Sequence, residues 1–236
     1  MNIRRFIQQA RFYHFFQPIY ELHNRNKIGY EALLRSEEYP NPEIAFQLAK
    51  KEHQLFDLDV GSMRKALSTY LSTSENGLIF LNIYPSTLLD PRFISLLKRV
   101  LTSREHNSRI VLEVSESELI EDIKIFKERI STLKQDGFLI AIDDMGRGYS
   151  RIESIIELEP DYIKLDRLFA KDLHLSPKKK EFISIFQTFC DHYGSQLILE
   201  GVETSEELEM AKSLGVVFAQ GYFLGKPAML TEAVLI

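Results

Sequence analysis

Seven apolar stretches of this chain carry, at or near their ends, side chains that can bind ions, move protons or hold phosphate. Glu31 lies in KIGYEAL, Asn82 closes LIFLN, Glu113 lies in IVLEV, and Asp143-Asp144 close FLIAIDD. Lys164 lies in YIKL, Glu200 closes LILE and Gln220 closes VVFAQ. Ending so many hydrophobic strands in polar groups wastes burial unless those ends meet. In a barrel of parallel strands they do meet, at the C-terminal mouth, where enzymes of that architecture keep their chemistry.

Glu31, Glu113, Asp143, Asp144 and Glu200 are all carboxylates, and Lys164 is the one cation expected among them. Like charges raise one another's pKa, so such a set calls for added positive charge. The donors are all oxygen, which favours magnesium or manganese over zinc. The sequence contains no Cys-x-x-Cys or His-Glu-x-x-His pattern to support zinc. Adjacent aspartates can bridge two ions about 3.5–4 Å apart, a spacing suited to in-line attack on a phosphodiester. The histidines are scattered, and His14 and His192 read as structural or surface residues.

Asp144-Met145-Gly146-Arg147-Gly148-Tyr149-Ser150 leaves the Asp pair with two glycines but without a GxGxxG or P-loop pattern. It reads equally as a flexible turn or as a mobile loop over the site. Ser176-Pro177-Lys178-Lys179-Lys180 reads as the solvated opening of a helix.

Eight strands are expected to position these groups, at 13–20, 27–34, 78–82, 109–114, 138–143, 162–165, 196–200 and 216–220. Helical spacing separates most of them. Leu119, Ile123, Phe126, Ile130 and Leu133 form one apolar stripe, and Phe93, Leu96, Leu97 and Val100 another. Phe182, Ile185, Phe186, Phe189 and Tyr193 read as a third buried stripe. Gly137, Gly194 and Gly215 stand where left-handed helix caps belong.

The alternation implies βα units and a parallel sheet. One junction breaks it: His23-Asn24-Arg25-Asn26 is too short for a parallel crossover, so strands one and two should form an antiparallel hairpin. Two helices, over 43–52 and 57–70, are expected before strand three. The fold class that follows is α/β, a modified TIM-type (β/α)8 barrel with one antiparallel strand, read as a single domain over 1–236 with its core at about 13–227. Ile3, Phe6, Ile7 and Ala10 have helical spacing and suggest a helix packed on the barrel's N-terminal side.

At 236 residues the chain can bury one large core. Its net charge of −5 argues against polymeric nucleic acid as a partner but leaves room for a small nucleotide. The single cysteine, Cys190, reads as a core residue and points to a reducing, cytoplasmic setting. No apolar run reaches the roughly eighteen residues of a transmembrane helix, and the opening residues lack a signal peptide's apolar core.

In their order, these motifs resemble the EAL-domain family of bacterial cyclic-di-GMP phosphodiesterases, from about Tyr13 to Pro227. The matching residues are Gln17-Pro18-Ile19, Glu31-Ala32-Leu33-Leu34-Arg35, Leu81-Asn82 and Leu112-Glu113-Val114-Ser115-Glu116-Ser117. Asp143-Asp144-Met145-Gly146, Lys164-Leu165-Asp166, Glu200-Gly201-Val202-Glu203-Thr204 and Gln220-Gly221-Tyr222 continue the series. The resemblance implies a barrel with one antiparallel strand and hydrolysis of cyclic di-GMP to linear pGpG. It implies two magnesium or manganese ions, with calcium inhibitory, held by Glu31, Asn82, Glu113, Asp143 and Asp144. Lys164 and Glu200 match the positions that hold and activate the attacking water, and with Glu31 they make up the implied catalytic set. Gln17 and Arg35 match substrate contacts, as do Asp166, Glu203 and Gln220 lining the site, and Glu116 matches the anchor of the loop after strand five. A homodimer is also implied.

The chain departs from the family at Met145-Gly146-Arg147-Gly148, where Phe-Gly-Thr-Gly is usual, and across 45–56. That loop couples metal binding to dimerisation in the family. Arg147 is therefore the feature that favours an alternative expectation, a catalytically silent EAL domain acting as a cyclic-di-GMP receptor or interaction module.

Overall fold

The computed structural model describes residues 2–100, 107–115, 117–145 and 152–230, apart from the side chains of 98–100, 144 and 152–154. Eight strands close into a barrel in chain order: β1 Tyr13–Glu21, β2 Lys27–Arg35, β3 Leu78–Ile83, β4 Ile110–Val114, β5 Leu139–Met145, β6 Tyr162–Leu165, β7 Gln196–Leu199 and β8 Phe218–Ala219. β1 runs antiparallel to both neighbours, β2 and β8, and every other adjacent pair is parallel. The hairpin expected from the short connection is present. Its turn is held by Asn24, whose Nδ2 donates to Glu21 and whose Oδ1 accepts the Asn26 N–H, with Arg25 at φ 58°.

Side chains alternate faces along a strand, so residues two apart share the barrel interior. Ile19, Phe80, Val111, Ala141 and Ile198 pack there as one buried cluster, with Tyr162 and Phe218 against it. Two residues further along the parallel strands, the same face carries Asn82, Glu113, Asp143, Lys164, Glu200 and Gln220. On β1 the order reverses: Gln17 precedes Ile19 and pairs in register with Glu31. An apolar plug therefore lies directly beneath a polar layer at the mouth. The opposite face of each strand meets helices in a larger cluster that includes Leu81, Leu112, Ile140, Ile163 and Leu199.

The helices are α1 Ile3–Gln8, α2 Pro42–Lys51, α3 Leu55–Leu71, α4 Pro85–Leu89, α5 Pro91–Val100, α6 Ile123–Gln135, α7 Ile152–Leu158, α8 Arg167–Ala170, α9 Pro177–Tyr193 and α10 Ser205–Ser213. Gly137, Gly194 and Gly215 all have positive φ at helix ends, as their placement suggests.

Three expectations are corrected. α1 packs with Leu34, Tyr39, Ala45 and Leu58, at the C-terminal end of β2 and against α2 and α3, not on the barrel's N-terminal side. The reversal of β1 is the cause, because it brings the start of that strand, and the helix before it, to the mouth end. α6 begins at Ile123 because Asp122 Oδ1 accepts the Lys124 and Ile125 N–H groups, so Leu119 lies outside the helix and is exposed. α9 buries Ile183, Gln187 and Cys190, while Phe182, Ile185 and Tyr193 of the anticipated buried stripe are exposed.

Candidate active site

Lys164 is the hub of the mouth. Its ammonium, 1 % exposed, lies 2.6 Å from Glu200 Oε1 and 3.2 Å from both Glu31 Oε2 and Asp143 Oδ1, and it also pairs with Glu113 Oε1. Four carboxylates thus face one cation. Glu31 is further held by Asn82 Nδ2, which donates to Oε1 at 3.3 Å, and by Gln220 Nε2, which donates to Oε2 at 2.7 Å. Gln220 Nε2 also donates to Gln17 Oε1 at 3.0 Å, and Gln17 Nε2 donates to the Gly225 carbonyl at 3.1 Å.

Burial dominates the electrostatics. It pushes Glu113 well above the usual carboxylate range, against Lys164 and with help from Glu31 and Asp143. It lifts Glu200 to about 8, opposed by Lys164 and reinforced by Asp143 and Glu31. Burial acts on Glu31 in the same direction, but the Lys164 charge and the hydrogen bonds from Gln220, Lys164 and Asn82 outweigh it, so that carboxyl sits low. Lys164 is held well above its ordinary value because the surrounding carboxylates overcome its own desolvation.

Divalent cations fit the chemistry of this donor set. Glu113 Oε2 is buried with no partner among the described residues, and Glu113 Oε1 and Asp143 Oδ1, which accept no hydrogen bond, are matched only by the one shared ammonium. Such acceptors are costly to leave unmatched. Among the described residues, no three acidic, histidine or cysteine side chains are drawn close enough together to chelate an ion as they stand. The carboxylates converge on Lys164 instead.

The pairing of β5 with β6 slips one residue between Ile142 and Met145, a bulge at Asp143-Asp144. Bulges beside active sites re-aim side chains. The Asp144 side chain lies outside the described residues, as do Glu116 and the 146–150 loop with Arg147.

A cleft of about 740 Å³ opens above the hub, bordered by Gln17, Arg35, Asp166, Glu203 and Gln220 as well as Glu31, Asp143, Lys164 and Glu200. Arg35 Nη1 donates to the Leu34 carbonyl at 2.8 Å, and its guanidinium rests 5.7 Å from the Phe15 ring. Asp166 Oδ1 caps α8 by accepting the Leu168 N–H at 2.7 Å. Asn82 and Glu113 do not border the cleft; Asn82 lines a neighbouring pocket shared with Glu31 and Arg35, and Glu113 is fully buried.

Arg167, Glu207 and Asp59, at or around the site, escaped the reading of the sequence. Arg167 borders the cleft. Gly201, at φ +70°, lets the chain just after β7 pass close to Arg167, for a Cβ there would lie 2.2 Å from Arg167 Cβ. Glu207 accepts the Glu203 and Thr204 N–H groups at 2.9 and 3.1 Å and the Asp172 N–H at 2.9 Å, fixing the loop that carries Glu203. A signal for it existed, because Thr204-Ser205-Glu206-Glu207 has capping-box spacing. Asp59, 2 % exposed, accepts the Tyr84 N–H at 2.9 Å just beyond Asn82. It sits in an ordinary helical pattern and carries no sequence signal.

A closed barrel with one reversed strand and an acid-ringed lysine at its mouth defines a narrow class of protein. The EAL domain family profile matches residues 1–227, and the chain belongs to that family. Among curated proteins it is 28% identical over 245 residues to "Probable cyclic di-GMP phosphodiesterase PdeG" of Escherichia coli K12, covering 99% of this chain and 48% of that protein. It is 30% identical over 216 residues to "Blue light- and temperature-regulated antirepressor BluF" of the same organism, covering 89% of this chain and 53% of that one. Klebsiella pneumoniae BlrP1, solved as a manganese/cy-diGMP complex at pH 9.0, superposes with a TM-score of 0.82 at 27% identity, over 92% of this chain and 56% of that one. The chain spans about half the length of these relatives.

Proposed function

We propose that this chain hydrolyses cyclic di-GMP to linear pGpG with two magnesium or manganese ions bound. The single observation that carries the reading is the meeting of Glu31, Asn82, Glu113, Asp143 and Glu200 around Lys164 at the mouth of an EAL-family barrel. The cleft is of a size that suits a ligand as large as a dinucleotide.

Glu31, Asn82, Glu113, Asp143 and Asp144 would hold the ions. Asn82 spends its Nδ2 on Glu31, which leaves its Oδ1 as the oxygen donor. When bound, the ions polarise the phosphoryl oxygens and ease loss of a proton from water. Lys164 positions the attacking water and places positive charge beside the phosphorus as negative charge builds there. Glu200 takes the proton in its carboxylate form; burial lifts it to about 8 in the chain without ions, and added cations favour the charged form that this role needs. The water oxygen bonds to phosphorus as the bond to the ribose 3′ oxygen breaks; that oxygen takes up a proton from solvent to become a hydroxyl, and a 5′-phosphate is left on the product. Arg35 borders the cleft with a guanidinium suited to a phosphate, and Gln17, Asp166, Glu203 and Gln220 complete the rim. Glu116 would anchor the loop after β5. Calcium, which accepts more ligands at longer distances, is expected to inhibit.

Incubation with cyclic di-GMP and magnesium or manganese, followed by chromatography, tests the reading. Formation of pGpG is expected. Tight binding without product at any level of either metal would overturn it in favour of a silent receptor, a second reading that Arg147 and the antirepressor among the relatives support.

The same reading includes a cytoplasmic homodimer of a single domain spanning 1–236. For the dimer, the support is the aromatic row on α9. Phe182, Phe186 and Phe189 stack in succession and Tyr193 lies tilted beside Phe189, with centroids 4.7–6.0 Å apart, and Phe182, Ile185 and Tyr193 stay exposed.

A further inference from the structure

We infer that Gln220 and Gln17 are positioning residues that act through Glu31, and that the segment after β8 anchors them. This inference rests on the proposed reading of Glu31 as a cation ligand. It differs from the substrate-contact role that the family resemblance gives these two glutamines.

The hydrogen bonds leave little choice. A glutamine amide nitrogen has two hydrogens, and Gln220 spends both, on Glu31 Oε2 at 2.7 Å and Gln17 Oε1 at 3.0 Å. Turning the amide over would set its oxygen against two acceptors, so the acceptors fix its orientation. Gln220 is 3 % exposed and has no donor left for a ligand in the cleft; its Oε1 is buried without a partner. It can act on the reaction through the carboxylate it holds.

Gln17 extends the relay outward by donating to the Gly225 carbonyl at 3.1 Å. Gly225 is pressed onto Pro18, where a Cβ would lie 2.4 Å from Pro18 Cγ, so only glycine fits. Three residues on, Ala228 and Phe16 exchange both backbone hydrogen bonds, at 2.7 and 3.2 Å. The tail is thus laced to β1 on both sides of Gln17, and its position passes through two amides to one oxygen of Glu31. The other oxygen is held by Asn82. With both oxygens restrained, Glu31 meets an incoming cation already oriented, and less ordering is left for binding to supply.

Gln220→Met keeps the volume and removes both donors; Gln17→Met removes the acceptor and the tail anchor while leaving Gln220 in place. Manganese affinity is measured by calorimetry on the chain without substrate, alongside KM and kcat for cyclic di-GMP and a thermal melt. The inference expects manganese to bind about tenfold more weakly in Gln220→Met, as is usual when a group that orients a metal ligand is lost. It expects a smaller loss in Gln17→Met and KM within about threefold of wild type when manganese is saturating. Unchanged manganese affinity with a raised KM would overturn it, returning both residues to substrate contact. Absence of manganese binding by the wild-type chain would overturn it too. Should Gln220→Met fail to fold, Gln17→Met carries the same comparison. Manganese binding without turnover by wild type would sink the proposed hydrolysis and leave the relay standing.

Discussion

At the scale of single residues, Lys164 is the group on which the mouth depends. Four carboxylates lie against it, and removing one partner from a buried ionic cluster leaves uncompensated charge at a cost of roughly 3–5 kcal/mol. Lys164→Met is therefore expected to lower stability by about that amount without metal. Manganese should raise its melting temperature by more than it raises that of wild type, since added cations replace the missing charge. Differential scanning fluorimetry with and without manganese checks this, and an equal or smaller shift in the variant would contradict it.

Asp59 makes a second residue-scale case. Burial lifts its carboxyl to about 7 from an ordinary 3.8, against the Tyr84 N–H that it accepts. Between those values the folded chain holds a proton that the unfolded chain has released. The stabilisation is complete below pH 3.8 and is lost as pH rises through 7. Asp59→Asn keeps an acceptor for Tyr84 but cannot titrate, so its urea unfolding midpoint should fall less than that of wild type between pH 5 and pH 8. Some slope remains, because Glu200 and Glu113 are raised as well.

At the scale of elements, the strands were legible and one helix face was not. The interior layers follow from period-two alternation: an apolar residue, then a polar one two places on, as in Phe80 and Asn82 or Val111 and Glu113. That pattern and the short link between β1 and β2 are local signals, which is why all eight strands could be placed. The aromatic stripe of α9 misled because aromatics at helical spacing have the periodicity of a core face whether they meet the core or one another. Here Phe186 and Phe189 are half-buried against the core while Phe182, Ile185 and Tyr193 lie outside it. The rings also meet one another and Phe169, 4.8 Å from Phe182, and Ile183, Gln187 and Cys190 face inward. If this row is the dimer surface, Ile185→Asp should convert a dimer to a monomer in sedimentation equilibrium and leave the fold intact by circular dichroism. A variant that stays dimeric would place the interface elsewhere.

At the scale of the whole molecule, the strand-end residues that gather at the mouth could be read from the sequence, but their arrangement, and Arg167 and Asp59 beside them, could not. Nothing in the sequence says that Lys164 sits at the centre of the carboxylates, that Gln220 gives both amide hydrogens to Gln17 and Glu31, or that Asp59 supports the end of β3. Those are contacts between residues far apart in the chain, and they exist only once the barrel has closed. The reversed first strand shows the same dependence. It takes α1 to the mouth end and makes Gln17 a neighbour of Glu31, although that orientation follows from a connection of a few residues.

On the proposed function, the acidic layer over the barrel's apolar plug gathers a pair of divalent ions. Anomalous diffraction from crystals grown with manganese and cyclic di-GMP measures that directly. The account requires two manganese peaks a few ångströms apart, within bonding reach of Glu31, Asn82, Glu113 and Asp143. Well-ordered crystals in which manganese is absent from that layer, or bound elsewhere on the chain, would contradict it.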